Sequence, residues 1–238
     1  MQHLGQTRSV RALDHLLQTP DTFVRAPLPG MRNAMAIVHA APALGAKFVQ
    51  YTAEFEAGGV LASTSDQRFV YVLDGTLNVG GQTVAAGGYA YVASGGSSIT
   101  AVGPARAAVF EKAYESLTGT AAPKTFGGRE TDVTATFLGG DPGLEVRALI
   151  PDDAAFDFRV NTMTYRPGAA LPGAEIHVME HGLLMLEGGG IYRLGSSWYP
   201  VAAGDFIWMA PYCPQWFAAV GKQPAKYLIY KDWDRAPK

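Results

Sequence analysis

The sequence has little that points to secretion, membranes or nucleic acid. Its 238 residues include a single cysteine, Cys213, so no internal disulfide can form. Acidic and basic residues nearly cancel to a net charge of −2, which argues against nucleic acid or an anionic membrane surface as a partner. No apolar run approaches the roughly 18 residues of a membrane span, and the N-terminus lacks the apolar core of a secretory signal. We therefore expect a globular protein of the reducing cytoplasm.

Glycine, by contrast, is abundant, with 28 residues. Many occur as doublets, such as Gly80-Gly81 and Gly87-Gly88. Short stretches rich in β-branched and aromatic residues lie between them, including Arg68–Leu73 and Tyr227–Lys231. Short strands separated by glycine turns predict an all-β barrel or sandwich. One short helix is expected near the N-terminus, around Val10–Leu17.

An internal repeat divides the chain. The matched segments are Val72–Gly75 with Met185–Gly188, Val84–Gly87 with Val201–Gly204, and Phe110–Lys112 with Ile229–Lys231. The spacing between partners grows only slightly along the chain, which indicates one scaffold used twice with longer turns in the second copy. The predicted organisation is an N-terminal lead-in at 1–29, a first barrel at 30–115, a crossover linker at 116–144 and a second barrel at 145–238.

Each repeat resembles a cupin domain in its order of strands and turns. An acidic-glycine turn is followed by a hydrophobic segment, a Val-Ala-Ala-Gly turn and a strand that leads into a Pro or Gly loop. The resemblance implies a bicupin, two tandem cupin barrels of the double-stranded β-helix or jelly-roll type. Because a small closed barrel leaves room inside for one small ligand, chemistry is expected in a barrel interior.

The second repeat contains a cluster of potential metal ligands. On an extended strand, Glu175, His177 and His181 would project from one face, and a carboxylate with two imidazoles predicts a metal site. Metal-binding cupins have their last ligand eleven residues after the glycine of the second turn, which here leads from Gly204 to Gln215. This donor set favours Mn²⁺ or Fe²⁺, although Zn²⁺ or Ni²⁺ could occupy the site in vitro.

Other interpretations of these residues remain open. Two histidines in a β protein are often polar surface or a hydrogen-bonded core pair. The stretch His177–His181 also matches H-x-x-E-H, a zinc-peptidase motif that requires a helix, but Pro and Gly residues surround it. The first repeat has no histidine at the matching stretch, where Asp66 and Gln67 stand near the ligand positions. We expect the first barrel to bind no metal and to support the second barrel.

More specifically, the chain resembles the (S)-ureidoglycine aminohydrolases. The segments that carry the likeness are Thr19–Asp21, Leu28–Gly30, Ala41–Tyr51, Glu175–His177, Glu180–Gly182, Gly204-Asp205, Pro214-Gln215 and Tyr230–Asp232. A leading glutamate and a final glutamine are more specific than the generic cupin motif. The resemblance implies a manganese enzyme that hydrolyses (S)-ureidoglycine to (S)-ureidoglycolate and ammonia in purine and allantoin degradation. One departure is Asp234, where the family usually has asparagine.

The resemblance also implies roles for individual residues. The implied metal ligands are Glu175, His177, His181 and Gln215, and the implied substrate contacts are Glu175, Tyr192, Tyr227 and Lys231. Lys231 would attract the substrate carboxylate and Glu175 would move protons, which makes these two the catalytic candidates.

The implied partner is a small-molecule ureide, and a homo-oligomer is compatible with the resemblance. Two alternatives stay open, because a fold does not determine a function. One is another metal-dependent bicupin enzyme, such as a dioxygenase or an isomerase. The other is a non-enzymatic bicupin that binds a small molecule.

Overall fold

A computed structural model describes residues 6–233 and Arg235, so Asp234 lies outside the described residues. The expected all-β class is confirmed, and no α-helix occurs in the described part of the chain. Short 3-10 helices lie at Pro20–Thr22, Pro42–Leu44, Glu130–Asp132 and Leu138–Gly140. None of the described helices has the length and apolar character needed to cross a membrane.

The strands are numbered in chain order. They are β1 (Val10–Arg11), β2 (His15–Gln18), β3 (Arg25–Ala26), β4 (Met31–Ala40), β5 (Val49–Leu61), β6 (Gln67–Asp74), β7 (Thr76–Val79), β8 (Gln82–Ala85), β9 (Gly88–Val92), β10 (Ile99–Ala101), β11 (Ala105–Lys112), β12 (Phe126–Arg129), β13 (Thr136–Phe137), β14 (Leu144–Ala148), β15 (Arg159–Tyr165), β16 (His181–Glu187), β17 (Gly189–Leu194), β18 (Ser197–Ala202), β19 (Phe206–Met209), β20 (Gln215–Ala219) and β21 (Ala225–Lys231).

The chain forms two compact units. The N-terminal unit comprises Val24–Val133 and Pro151–Asp157, and the C-terminal unit comprises the described residues of Met1–Phe23, Thr134–Ile150 and Phe158–Lys238. The lead-in at 1–29 and the linker at 116–144 are each divided between the units. The limits of the two repeats, 30–115 and 145–238, stay a prediction.

The N-terminal unit contains one antiparallel sheet in the order β12-β9-β6-β11-β5-β10-β7-β8, with β4 and β3 attached beside β5. Alternate residues of these strands form its core, including Tyr51, Ala53 and Phe55 on β5 and Val70 and Val72 on β6. This period of two is what a sheet with one face turned inward requires.

The C-terminal unit contains an eight-stranded sheet, in the order β1-β2-β19-β16-β21-β15-β14-β13, and a three-stranded sheet, β18-β17-β20. Residues from both sheets share one core, such as Met163, Tyr165 and Leu183 from the larger and Tyr192 and Phe217 from the smaller. The two sheets therefore enclose the interior in which the candidate site lies.

The helix expected around Val10–Leu17 is wrong. This stretch contains β1 and β2 instead, and β2 pairs with β19 through Leu17 opposite Ile207 and His15 opposite Met209. Burial alternates along β2, and Leu17 is completely buried. Pairing with an existing sheet has overridden the local helix preference of these residues.

The acidic-glycine turns of the two repeats are built alike. Gly75 and Gly188 have positive φ angles of 75° and 62°. A Cβ atom would lie 2.3 Å from the carbonyl oxygen of Pro104 at Gly75 and of Pro224 at Gly188. Both turns therefore require glycine for backbone conformation and for space.

We predict that Gly188→Ala destabilises the protein more than Gly168→Ala does. Gly168 also has a positive φ, 82°, but open space where its Cβ would be. Gly168→Ala should cost about 1–2 kcal/mol of unfolding free energy from backbone strain alone, and Gly188→Ala about 1–3 kcal/mol more from the clash. Urea unfolding measures both, and equal losses would contradict the steric argument.

Candidate functional site

A cavity of about 350 Å³ opens inside the C-terminal unit. That volume is within the range of small-molecule sites in proteins. All the candidate residues from the sequence line it, namely Glu175, His177, His181, Tyr192, Gln215, Tyr227 and Lys231. Apolar residues such as Leu138, Leu171 and Ile229 complete its wall.

Strand register brings His181 beside Lys231. His181 begins β16 and pairs with Lys231 of β21 on one side and with Met209 of β19 on the other. Tyr227 is four residues before Lys231 on β21, so both side chains are in phase along that strand. The ladder places an imidazole, an ammonium group and a phenol on one side of the cavity.

Two more of the candidate ligands, Glu175 and Gln215, meet through their backbones. The N–H of Glu175 donates to the carbonyl of Gln215 over 2.8 Å, and the N–H of Gln215 donates back over 2.9 Å. The expectation of one extended strand from Glu175 to His181 is wrong, because the chain bends at Val178 and Met179 and β16 begins only at His181. An isolated bridge replaces the strand at Glu175.

The potential ligand atoms surround the cavity without closing tightly together. His177 Nε2 lies 3.1 Å from Glu175 Oε2, and the rings of His177 and His181 are 5.1 Å apart at an angle of 73°. Among the described His, Cys, Asp and Glu residues, the one group of three with all ligand atoms within 4.8 Å of one another lies elsewhere. The assignment of the four ligands therefore rests on two observations. All four residues line the same cavity, and their side chains offer atoms of the kinds that bind metal ions.

The donor chemistry fits a divalent cation. His181 is buried, and its Nδ1 atom makes no hydrogen bond of standard geometry. Burial, with smaller contributions from the charges of Lys231 and His177, holds the pKa of His181 well below its ordinary value. A neutral imidazole, a carboxylate and an amide oxygen are donors that Mn²⁺ and Fe²⁺ accept.

Lys231 brings a cation into the same cavity. Burial lowers the pKa of its ammonium group, and the negative charge of Glu175 opposes that shift. Its Nζ atom lies 5.9 Å from the ring centroid of Trp233. A half-buried ammonium group beside an aromatic ring is suited to bind a carboxylate that enters the cavity.

Two buried phenols, Tyr192 and Tyr227, complete the polar lining, and a third, Tyr165, contacts Tyr227. The hydroxyls of Tyr165 and Tyr227 are 2.7 Å apart, and the hydroxyl of Tyr192 donates to Gln215 Oε1 over 3.2 Å. Burial raises the pKa of Tyr165, Tyr192 and Tyr227 above the ordinary value for tyrosine. All three therefore keep their protons and can donate hydrogen bonds.

Sequence reasoning missed part of this wall. Asn161 and Met163 line the cavity from β15, Tyr165 follows in phase, and Thr136 to Gly139 line it from a segment assigned to the linker. The alternation of Asn161, Met163 and Tyr165 along β15 was a signal that could have identified these three. No residue type in 136–139 marks that segment as part of a site.

A separate cluster is formed by Asp14, His15 and Cys213, whose ligand atoms lie within 4.8 Å of one another. His15 contacts Asp14 Oδ1 through Nδ1 over 2.8 Å and the hydroxyl of Tyr199 through Nε2 over 2.9 Å. Burial raises the pKa of Cys213 to about 11. Both ring nitrogens have partners and the thiol stays protonated, so the network is complete without an ion.

The corresponding place in the first repeat holds an ion pair. Arg68 pairs with Glu111 and Val92 as His181 pairs with Lys231 and Met209. Strand register therefore makes Glu111 the equivalent of Lys231, whereas the sequence repeat had matched Lys231 to the next residue, Lys112. Arg68 binds Glu111 over 2.6 Å.

Neither first-repeat residue singled out from sequence occupies that place. Gln67 precedes Arg68 on β6, and its side chain donates to Asp157 Oδ1 over 2.6 Å. Asp66 lies just before β6 begins. The place equivalent to His181 therefore carries a guanidinium group, which has donors only and cannot bind a cation.

Comparisons with known proteins agree with this architecture. The Cupin domain family matches residues 161–230. The (S)-ureidoglycine aminohydrolase of Arabidopsis thaliana is 39% identical over 98% of this chain and 80% of its own length. A putative glyoxylate-induced protein from Pseudomonas aeruginosa superposes with a TM-score of 0.88 at 29% identity, covering 100% of this chain and 95% of its own.

The bicupin architecture is confirmed by a more distant structure. Oxalate decarboxylase from Bacillus subtilis gives a TM-score of 0.71 at 12% identity, covering 97% of this chain and 80% of its own. At that identity the likeness concerns the fold alone.

We predict that His181 makes the protein less stable in acid. Its folded pKa lies below the unfolded value near 6.5, so below that pH the unfolded chain binds a proton that the folded chain does not. As the pH is lowered, this residue should reduce the free energy of unfolding by up to about 1.4 kcal/mol per pH unit. Urea unfolding with a chelator present, from pH 7.5 to 5, should show a shallower slope for His181→Gln.

The control for this experiment is His39, whose pKa burial lowers to about 3 in the other unit. His39→Gln should flatten the pH dependence in the same direction, and the double variant should be flatter than either single variant. Identical slopes for the wild type and His181→Gln would contradict the prediction.

Proposed function

Because the chain belongs to the (S)-ureidoglycine aminohydrolase family, a family of hydrolases, we propose that it converts (S)-ureidoglycine and water to (S)-ureidoglycolate and ammonia. We propose Mn²⁺ as its metal, allantoin degradation as its pathway and the cytoplasm as its location. The observation that carries the proposal is one small cavity lined by Glu175, two histidines, a glutamine and Lys231.

The proposed reaction exchanges one substituent on the central carbon. A C–N bond to the amine breaks, a C–O bond to water forms, one proton leaves the water and one proton joins the departing nitrogen. A single carboxylate can serve both transfers if it accepts the first proton and supplies the second. Glu175 is the carboxylate that lines the cavity.

The ion would be held by Glu175, His177, His181 and Gln215. When bound, it supplies a positive charge that lowers the pKa of water and polarises the substrate. Two of these donors are partly exposed to solvent, since the side chains of His177 and Glu175 are 30% and 33% exposed. Substrate and water can therefore reach the donors from the cavity mouth.

The remaining polar groups suit the other parts of the substrate. The ammonium group of Lys231 would bind the carboxylate. The hydroxyl of Tyr227 donates to Met163 Sδ over 3.3 Å, and it would turn from this weak acceptor to donate a hydrogen bond beside the carboxylate. Tyr227 is held by Tyr165 at 2.7 Å, which fixes its ring before the substrate arrives. Fixed donors lose little freedom on binding, so they orient a small polar molecule well.

We predict that the purified protein releases ammonia from freshly prepared (S)-ureidoglycine, that a chelator removes this activity and that Mn²⁺ restores it. Lys231→Met should lower kcat/KM by about 10- to 100-fold, because a charged hydrogen bond worth about 1.5–3 kcal/mol is lost. Ammonia is measured against a blank without enzyme.

The matched control is Lys222→Met, which removes the same side chain at an exposed position away from the cavity. It should leave kcat/KM unchanged. Absence of enzymatic ammonia release with Mn²⁺, Fe²⁺, Co²⁺ and Zn²⁺ alike would refute the proposed function.

A further inference from the structure

Gln215 differs from the other candidate ligands in one respect. Its side-chain amide has an oxygen that can bind a cation and an NH₂ group that cannot. The two ends are nearly equal in size, so packing alone does not decide which end faces the cavity. A glutamine that serves as a metal ligand needs a neighbour that selects the oxygen.

The backbone of Gln215 is already fixed. It is bridged to Glu175 by the two hydrogen bonds described above, and on its other side it pairs with Leu194 of β17. The remaining freedom is in the side chain, and above all in the half-turn that exchanges oxygen and nitrogen.

Tyr192 is placed to remove that freedom. It pairs with Phe217, two residues beyond Gln215 on the neighbouring strand, so its side chain and that of Gln215 are diagonal neighbours on one face. Its hydroxyl donates to Gln215 Oε1 over 3.2 Å. Its ring lies 5.4 Å from that of Phe217, and the residue is 1% exposed.

We propose that Tyr192 is a positioning residue for the metal site, whose hydroxyl holds the amide of Gln215 with its oxygen available as the fourth donor. The inference rests on the proposed metal site and adds to the substrate contact implied by the family resemblance. The carbonyl oxygen has two lone pairs, one for the phenol and one for the cation. Outer hydrogen bonds of this kind typically change metal affinity by about 10- to 100-fold.

The test is Mn²⁺ affinity, measured without substrate from the loss of the electron paramagnetic resonance signal of free Mn²⁺. Tyr192→Phe removes only the hydroxyl and should weaken binding about 10-fold or more. Tyr165→Phe removes a phenol that lies against Tyr227 rather than a ligand, and it should bind Mn²⁺ as the wild type does. Near-ultraviolet circular dichroism confirms that each variant is folded.

Gln215→Glu separates orientation from general damage. A carboxylate presents an oxygen at either end, so it needs no neighbour to choose between them. In the Gln215→Glu background, Tyr192→Phe should change the Mn²⁺ affinity by less than about twofold, a strongly non-additive result.

Three outcomes would overturn the inference. They are wild-type affinity in Tyr192→Phe, an equal loss in Tyr165→Phe, or an equal loss from Tyr192→Phe in the Gln215→Glu background. Wild-type protein that binds no divalent ion would refute the proposed metal site itself, which is a distinguishable failure.

Discussion

The candidate site depends on the backbone bridge between Glu175 and Gln215. The bridge joins an irregular segment of the chain to the first residue of β20 through two short hydrogen bonds. Backbone hydrogen bonds from Leu171 to Phe217 over 2.9 Å and from Tyr212 to His177 over 2.7 Å hold the same irregular segment on either side. The bridge is the contact that acts at the two ligand residues themselves. Because the bridge pairs the backbones, both side chains reach the cavity from known positions, and the bends at Val178 and Met179 do not disperse the site.

The two repeats show that a shared scaffold need not share chemistry. Equivalent ladder positions carry His181 and Lys231 in one unit and Arg68 and Glu111 in the other. In the first repeat, Arg68 and Glu111 neutralise each other directly, and Glu111 also accepts a hydrogen bond from Tyr51 over 2.9 Å. A buried pair satisfied in this way leaves no free charge or lone pair for a ligand. In the second repeat, the neighbours cannot neutralise each other and both remain available.

Much of this arrangement could be predicted from sequence, because period-two burial and glycine turns are local signals. The class, the repeat and the seven candidate residues of the cavity wall follow from such signals, whereas Asn161, Met163 and the segment 136–139 were missed. The helix around Val10–Leu17 could not be judged locally, since pairing with β19 decides its conformation. The match of Lys231 to Lys112 failed because it rested on the likeness of residue types, whereas the ladders decide which residues are equivalent. Both β6–β11 and β16–β21 have their irregularity at equivalent residues, and beyond it Glu111 occupies the position of Lys231.

The segment 136–139 shows a different limit. It lines the cavity with Phe137 and Leu138 although its composition resembles that of a linker. Burial by tertiary structure, rather than residue type, gives such a segment its role, so no pattern within it carries the information.

The charges of the cavity also constrain any chemistry performed there. Glu175 and Lys231 balance each other, and His181 is held neutral by burial and by the cation beside it. With a divalent ion bound, the cavity would therefore be strongly positive, which attracts a carboxylate. The same field disfavours an ammonium group on the substrate, so an amine bound there would be neutral and would have to acquire a proton as it departs. Such a reaction requires a nearby carboxylate that can take a proton from water and pass it to the departing amine. Glu175 is the acidic residue that the fold places on the wall of this cavity.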